Sequence, residues 1–299
     1  MNILAIYYSQ TGQIEDILKS MFESVKGNLN IDYVRISAEP EYPFPWNSEQ
    51  FFDVFPESKN GISCNIKELD INTDKHYDLV VIGLQVWYLE PSIPIASFLK
   101  SKYADIINDK PVITVYGIRN MWINAHRQIK ELISNKGGKL SGNIVFADRH
   151  NNLISVMTIV RWLFKGKKDA GRFLPAAGVS DKDLKGAKVF GKIIADAFKN
   201  EEFSDLQNIF AKNNAVKVDY HIMKTEFAGS RIFNIWASTI LKKSNKYPNK
   251  RKTLLKFFKY YLFFVIYIIS PISSLIFRII RLIFRSKTEK EILNHISLT

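Results

Sequence analysis

The first two hundred residues alternate short apolar runs with amphipathic stretches, and this alternation narrows the possible folds more than any other feature. Ile3 to Tyr8, Ile31 to Ile36, Leu79 to Gly83, Val112 to Gly117 and Asn143 to Ala147 are apolar runs of strand length. Between and after them, Ile14 to Val25, Ile93 to Tyr103, Trp122 to Asn135 and Leu184 to Phe198 carry apolar residues at helical spacing, with Gly27 a stop for the first. Buried strands alternating with helices predict an α/β fold: a doubly wound, five-stranded parallel sheet with helices on both faces. Such sheets bind ligands beyond the carboxyl ends of their strands. No repeat at a fixed period is visible, which argues against a solenoid.

Composition excludes other classes. Of 299 residues, 46% are apolar and 24% charged, the balance of a globular chain rather than a disordered or collagenous one. The single cysteine, Cys64, excludes an internal disulfide and a cysteine-based zinc site, and no His, Cys or Glu spacing suggests a metal. Met1-Asn2 runs straight into an apolar strand with no basic stretch or cleavage site, so a cytoplasmic protein is expected.

The charge is concentrated at one end. Residues 241–299 hold 13 Lys and Arg against 2 Asp and Glu, whereas the preceding 240 residues hold 29 against 27. A nearly neutral body with a basic tail argues against a nucleic-acid partner. Tyr260 to Phe277 is free of charge; as a helix it would reach roughly 27 Å, against about 30 Å for a bilayer core. Lys252, Lys256 and Lys259 precede this run, and Arg278, Arg281 and Arg285 follow it, each set at helical spacing. Ser270-Pro271 predicts a break into two half-helices. Expected, then, are a body of residues 1–200 with an insertion at 151–178, and a helical, basic and hydrophobic extension of residues 201–299. The extension is expected to be membrane-associating, peripheral on the anionic inner face of the cell membrane. The alternative is a pair of core helices whose cations snorkel to water.

Two segments exceed a minimal alternating series. Glu41 to Gly61 is a long loop rich in Pro, Phe and Trp, and long loops in compact domains are usually functional. Asn151 to Gly178 places an apolar stretch before Lys165, Lys167, Lys168 and Arg172, readable as a greasy lid beside a basic mouth or as a surface elaboration that buries itself.

The chemistry gathers where strands end. The first strand closes on Ser9, Gln10, Thr11, Gly12, Gln13 and Ile14 as a helix begins, offering hydroxyls and free N–H groups to a phosphate monoester. Ordinary turns and caps use the same residues. Gln85, Val86, Trp87 and Tyr88 follow the third strand, and Tyr116, Gly117, Arg119 and Asn120 follow the fourth. In a doubly wound sheet these three loops share one edge. A phosphate cradle between aromatic walls suits a phosphorylated planar ring.

This arrangement resembles the flavodoxin-like fold, whose three loops hold the phosphate and the isoalloxazine ring of FMN. Thr11-Gly12 matches the phosphate loop, and Trp87-Tyr88 stands in the place of the ring-stacking aromatics. The chain departs at Gln13 and Ile14, where flavodoxins commonly carry Asn and Thr. Glu41-Tyr42-Pro43-Phe44-Pro45-Trp46 and Phe51-Phe52-Asp53-Val54-Phe55-Pro56-Glu57-Ser58, with Tyr7 to Gln13 before them, further resemble the dialkylresorcinol condensing enzymes. That resemblance implies an FMN-dependent aromatase. A partner ketosynthase makes a hydrophobic dialkylcyclohexanedione, and the flavoprotein oxidises it to a dialkylresorcinol for aryl-polyene pigments of the flexirubin type.

Arg119 is the candidate cation for the oxyanion of an enolised dione, and His126, two helical turns on, a candidate proton carrier. Ordinary solvated roles remain open for both. His150, with Asp148 and Arg149 after the fifth strand, is a second acid–base candidate. Three other functions stay in view: a membrane-associated NAD(P)H:quinone reductase, a non-catalytic electron carrier of the flavodoxin type, and a scaffold that has lost its cofactor. A diffusible carrier is usually acidic, which this chain is not.

Overall fold

The computed structural model describes residues 1–27, 29–200, 203 and 205–297. Strands β1 (Asn2–Tyr7), β2 (Asn30–Arg35), β3 (Leu79–Leu84), β4 (Pro111–Ile118) and β5 (Lys139–Ala147) form one parallel sheet in the order 2-1-3-4-5. That order is the flavodoxin-like arrangement. Every residue of β3 is buried, as expected of a central strand covered on both faces. The sequence placed the start of β5 at Asn143. In the structure Lys139, Leu140 and Gly142 also pair with β4, with Ser141 skipped at an irregular register between Val112 and Ile113.

Helix α1 (Gln13–Phe22) covers one face and α3 (Ile123–Asn135) the other. Two glycines allow α1 to approach: a β-carbon on Gly83 would lie 2.7 Å from Ile14 Cγ2, and one on Gly117 2.7 Å from Ile14 Cδ1. Ile14 is therefore a packing residue wedged against two strand ends. Helix α2 (Ile93–Lys100) packs beside α3, and α4 (Asn152–Lys165) lies within the 151–178 insertion. The predicted helix at Leu184 divides into Asp181–Gly186 and α5 (Lys188–Lys199), which packs on α1.

The long loop at 41–61 holds two short helices, Ser48–Asp53 and Phe55–Lys59. The first opens on a reciprocal capping box between Asn47 and Gln50.

The extension joins the body rather than trailing from it. Val145 N–H donates to Ala215 O at 2.8 Å, and Asn143 N–H to Gln207 Oε1 at 2.7 Å, so the outer edge of β5 is covered. Ala215, Val216, Val218, Tyr220 and Met223 enter the main core. Helix α6 (Tyr220–Lys246) turns back into α7 (Lys250–Phe264). A second core of Phe52, Phe55, Ala237, Ile240, Leu255 and Phe258 binds these helices to the aromatic loop.

The break expected at Ser270-Pro271 is absent. The helix runs unbroken from Lys250 to Ile283: α7, a π-helical segment Val265–Ile269, then α8 (Ser270–Ile283). Proline lacks the N–H for its backward bond and crowds the preceding turn; the wider turn just before it accommodates both. This helix of 34 residues, with mean hydropathy 2.1 in its most apolar window, is long and apolar enough to cross a membrane, and 6% of that window is buried. Helix α9 (Arg285–Ile296) returns to the body through Ile292.

Candidate functional site

The loops after β1, β3 and β4 meet beyond the carboxyl edge of the sheet around a cavity of about 200 Å³. Gly12 opens α1 at φ 84°, a conformation in which other residues are strained. Ser9 is buried, and its Oγ accepts from Ile14 N–H at 3.2 Å, so its hydroxyl shapes the turn. Among the described residues no hydrogen bond takes up the N–H of Thr11, Gly12 or Gln13. A β-carbon on Gly12 would meet nothing within 4 Å, so the turn is open beside Gly12. Three donors, the positive end of a helix dipole and open space form an anion cradle.

Gln10 ties the loops together: its N–H donates to Gln85 Oε1 at 3.3 Å and its Nε2 to Pro43 O at 2.8 Å. Gln13 turns away from the cradle and accepts Val179 N–H on Oε1 at 2.8 Å, stapling the chain that follows the insertion to the start of α1.

One wall is aromatic. The Trp87 ring meets Tyr42, Tyr8 and Trp46 edge-on at centroid distances of 5.0, 5.7 and 5.7 Å. Trp87 precedes a two-residue hairpin turn in which Tyr88 (φ 50°) and Leu89 (φ 70°) both adopt the left-handed conformation that such turns require. The Tyr88 hydroxyl donates to Phe51 O at 2.5 Å, and burial raises its pKa well above the ordinary value.

The opposite wall comes from the insertion. Ile159, Trp162 and Leu163 of α4 line the cavity with Gly178. A β-carbon on Gly178 would fall 2.3 Å from Gln13 Oε1 and 2.7 Å from Trp162 Cζ3, so the lid is closed down tightly. This closure explains a volume below the roughly 300–1,000 Å³ of most ligand pockets.

Arg119 supplies the cation of the lining. Its Nη1 donates to Asn152 Oδ1 at 2.6 Å; Asn120 Nδ2 donates to the same atom at 2.8 Å. Burial pushes the Arg119 pKa down to about 10 while Asp148 opposes the shift, leaving the guanidinium charged at neutral pH. Among the described residues Asn120 Oδ1 is buried without a partner.

Of the sequence candidates, Gln10, Thr11, Gln13, Gln85, Val86, Trp87, Tyr88, Gly117 and Arg119 line the cavity. Ser9, Gly12 and Ile14 shape the cradle from behind. Tyr116 lies outside the lining because side chains alternate along a strand: Gly117 faces α1, so Tyr116 faces α3. There its hydroxyl shares a 3.0 Å hydrogen bond with His126 Nδ1. Burial, with Lys130 and His295 adding to it, pushes the His126 pKa down to about 4, so the ring is neutral. His126 lines a separate cavity of about 1,020 Å³ between α3, α6 and α9. His150 is exposed; its N–H donates to Asp148 Oδ1 at 2.9 Å, and Asp148 also accepts Ser155 Oγ–H at 2.8 Å. Asp148 therefore anchors the start of α4.

Trp46, Phe51, Val54, Ile159, Trp162, Leu163 and Gly178 line the cavity without having been singled out as site residues. A signal was present for three: Ile159, Trp162 and Leu163 stand at i, i+3 and i+4, one helix face.

No protein-family model and no curated protein matches the chain. Among solved structures it is similar to a flavoprotein from Lactobacillus acidophilus NCFM in complex with FMN, at 18% identity and TM-score 0.41 over 48% of this chain and 92% of that one. It is similar to a WrbA-like flavodoxin from Agrobacterium tumefaciens at 13% identity and TM-score 0.39, over 67% and 99%. A flavone reductase is similar at 12% identity and TM-score 0.36, over 67% and 64%.

Proposed function

We propose that this chain is an FMN-dependent oxidoreductase that aromatises a hydrophobic dialkylcyclohexanedione to a dialkylresorcinol beside a ketosynthase that supplies the dione. One observation carries the reading: a single cavity at the strand edge combines unpartnered N–H groups at Thr11 to Gln13, an aromatic wall at Trp87 and the cation Arg119.

The residues fit the cofactor. Thr11, Gly12 and Gln13 would hold the phosphate monoester at the start of α1, and Trp87 and Tyr88 would flank the ring. FMN, when bound, supplies a two-electron acceptor for the hydride that leaves one ring carbon as a proton leaves its neighbour. The chain's own residues prepare the dione. Arg119, oriented by Asn152, stabilises negative charge on the oxygen of its enolised form. Phe51, Val54, Ile159 and Leu163 exclude water and accept alkyl substituents. The dione is an amphiphile that partitions into lipid, and the exposed apolar helix Lys250–Ile283 supports action at the inner face of the cell membrane.

The test is the absorption spectrum of the purified protein, with mass identification of any yellow compound released on denaturation. Under anaerobic conditions a dialkylcyclohexanedione should bleach the bound flavin and appear as the resorcinol. Bleaching by NAD(P)H alone would instead favour a quinone reductase, and a colourless protein that takes up no FMN overturns the proposal.

A further inference from the structure

We infer that the helix Lys250–Ile283 lies flat in the surface of an anionic bilayer without crossing it, and that it holds the cavity wall close to the lipid. Only the identity of the lipid-borne substrate rests on the function proposed above.

One face of the helix is an exposed apolar stripe. Phe257, Phe264, Ile268, Leu275, Ile279 and Leu282 recur at helical spacing, with Phe257 61% and Leu282 82% exposed. From Phe257 to Leu282 the stripe runs about 38 Å at 1.5 Å per residue. Contiguous exposed apolar surface of this kind marks an interaction site.

The other face is occupied. Leu255 and Phe258 are buried against α6, where Trp236 lies 5.8 Å from the Phe258 ring, and α8 packs along the same helix. Helix α6 carries Lys224, Glu226, Arg231, Lys242 and Lys243. A crossing helix would draw this partner into hydrocarbon, where each charge costs about 2.5–3.5 kcal/mol or more at mid-depth. With that packing intact, only the stripe can enter lipid, and a one-sided apolar face suits the interfacial plane.

Charge selects the occupant. Lys256 is exposed at one end of the stripe beside Lys252, which pairs with Glu49 at 3.2 Å; Arg278 and Arg281 are exposed at the other beside Arg285, which pairs with Glu289 at 2.8 Å. Because both ends are basic, pairing of two stripes in either direction sets cation against cation. An anionic lipid surface attracts both ends, by about 1 kcal/mol per cation.

The helix is also joined to the cavity. The Phe258 ring stacks on Phe55, the Phe55 ring lies 5.0 Å from Tyr88, and Tyr88 lines the cavity. Arg251 clamps the same loop through Asp53 at 2.6 Å and Glu57 at 2.9 Å, and Lys259 donates to Ser48 Oγ at 2.8 Å. The Phe55 ring, stacked on Phe258 and edge-on to Tyr88, thus links the lipid-seated helix to the site.

The experiment uses the full chain with vesicles of phosphatidylglycerol and phosphatidylcholine, or of phosphatidylcholine alone, and membranes of cells that produce the protein. We expect sedimentation with the anionic vesicles at low salt, at least tenfold weaker binding with phosphatidylcholine alone, and release from cell membranes by alkaline carbonate. Leu275→Glu with Leu282→Glu should weaken vesicle binding at least tenfold while far-UV circular dichroism and flavin absorption stay unchanged. Retention in carbonate-washed membranes would mean a crossing helix and overturn the inference. So would failure to bind anionic vesicles, or a dimer that the same double variant dissociates. A colourless protein that still binds anionic vesicles would sink the proposed function and leave this inference standing.

Discussion

Phe258 and Phe55, from opposite ends of the chain, stack with ring centroids 3.7 Å apart and planes 9° apart. Both are fully buried, and with Phe52, Ala237, Ile240 and Leu255 they form the smaller core. Removing a buried phenyl ring costs about 3–5 kcal/mol. Phe258→Ala is therefore expected to lower the unfolding free energy by that amount in a urea titration, and a loss below about 1 kcal/mol would mean that this core is not assembled as described.

Trp87→Ala should raise the dissociation constant for FMN at least tenfold, about 1.4 kcal/mol, measured by quenching of flavin fluorescence. Trp162→Ala, on the lid side, should cost less, because its ring also blocks the cavity against Gly178. Comparable losses would put the flavin ring against the other wall.

Thr11→Asp sets a carboxylate beside the unpartnered N–H groups of the cradle. Binding of FMN should weaken at least tenfold while riboflavin, which lacks the phosphate, binds within about twofold of the original affinity. Equal loss of both ligands in paired titrations would show that the anion is not held at the start of α1.

Gln13→Ala leaves the buried Val179 N–H without its acceptor, at a cost of about 1–3 kcal/mol. The insertion should loosen, and limited trypsin digestion after the exposed residues Lys167 and Arg172 should accelerate several-fold. An unchanged cleavage rate would place the closure of the lid elsewhere.

Glu226 is buried and accepts Asn124 N–H at 2.7 Å and Trp122 N–H at 3.2 Å at the start of α3. Burial outweighs these bonds and raises its pKa from 4.5 to about 7. A raised folded-state value gives stability that is complete below pH 4.5 and lost as pH rises to about 7. Burial lowers Lys59 from 10.5 to about 8, so its contribution has the opposite slope, increasing between those values. Burial lowers His126 from 6.5 to about 4, which adds a rising contribution over nearly the same window, so the difference between variant and original isolates Glu226. The melting temperature of Glu226→Gln relative to the original chain should rise as pH goes from 4.5 to about 7; a constant difference would remove Glu226 as the cause.

The sheet was legible because central strands covered on both faces must be continuously apolar, as Leu79 to Gly83 is. Lys139 to Gly142 escaped because Lys139, Ser141 and Gly142 carry no apolar signal; Gly142 belongs to the strand because the Phe210 ring occupies the space of its absent side chain. The Asn47/Gln50 capping signature was present but masked by the prolines around it. At the site, the three loops were placed by topology alone, and the face of Ile159, Trp162 and Leu163 carried a helical signal, whereas the wall at Trp46 and Phe51 depends on tertiary packing that no local pattern encodes. Tyr116 shows a finer limit: strand alternation sends neighbouring residues to opposite faces, so only Gly117 of that pair reaches the cavity.

The bond from Val145 to Ala215 bears on how this protein can be shortened. An outermost strand left bare presents a row of unused donors and acceptors to any passing chain. Cutting after residue 200 would strip away the segment that shields β5 and uncover the apolar surface beneath Phe210. A truncated version should clump during expression, so the C-terminal third acts as a guard on solubility.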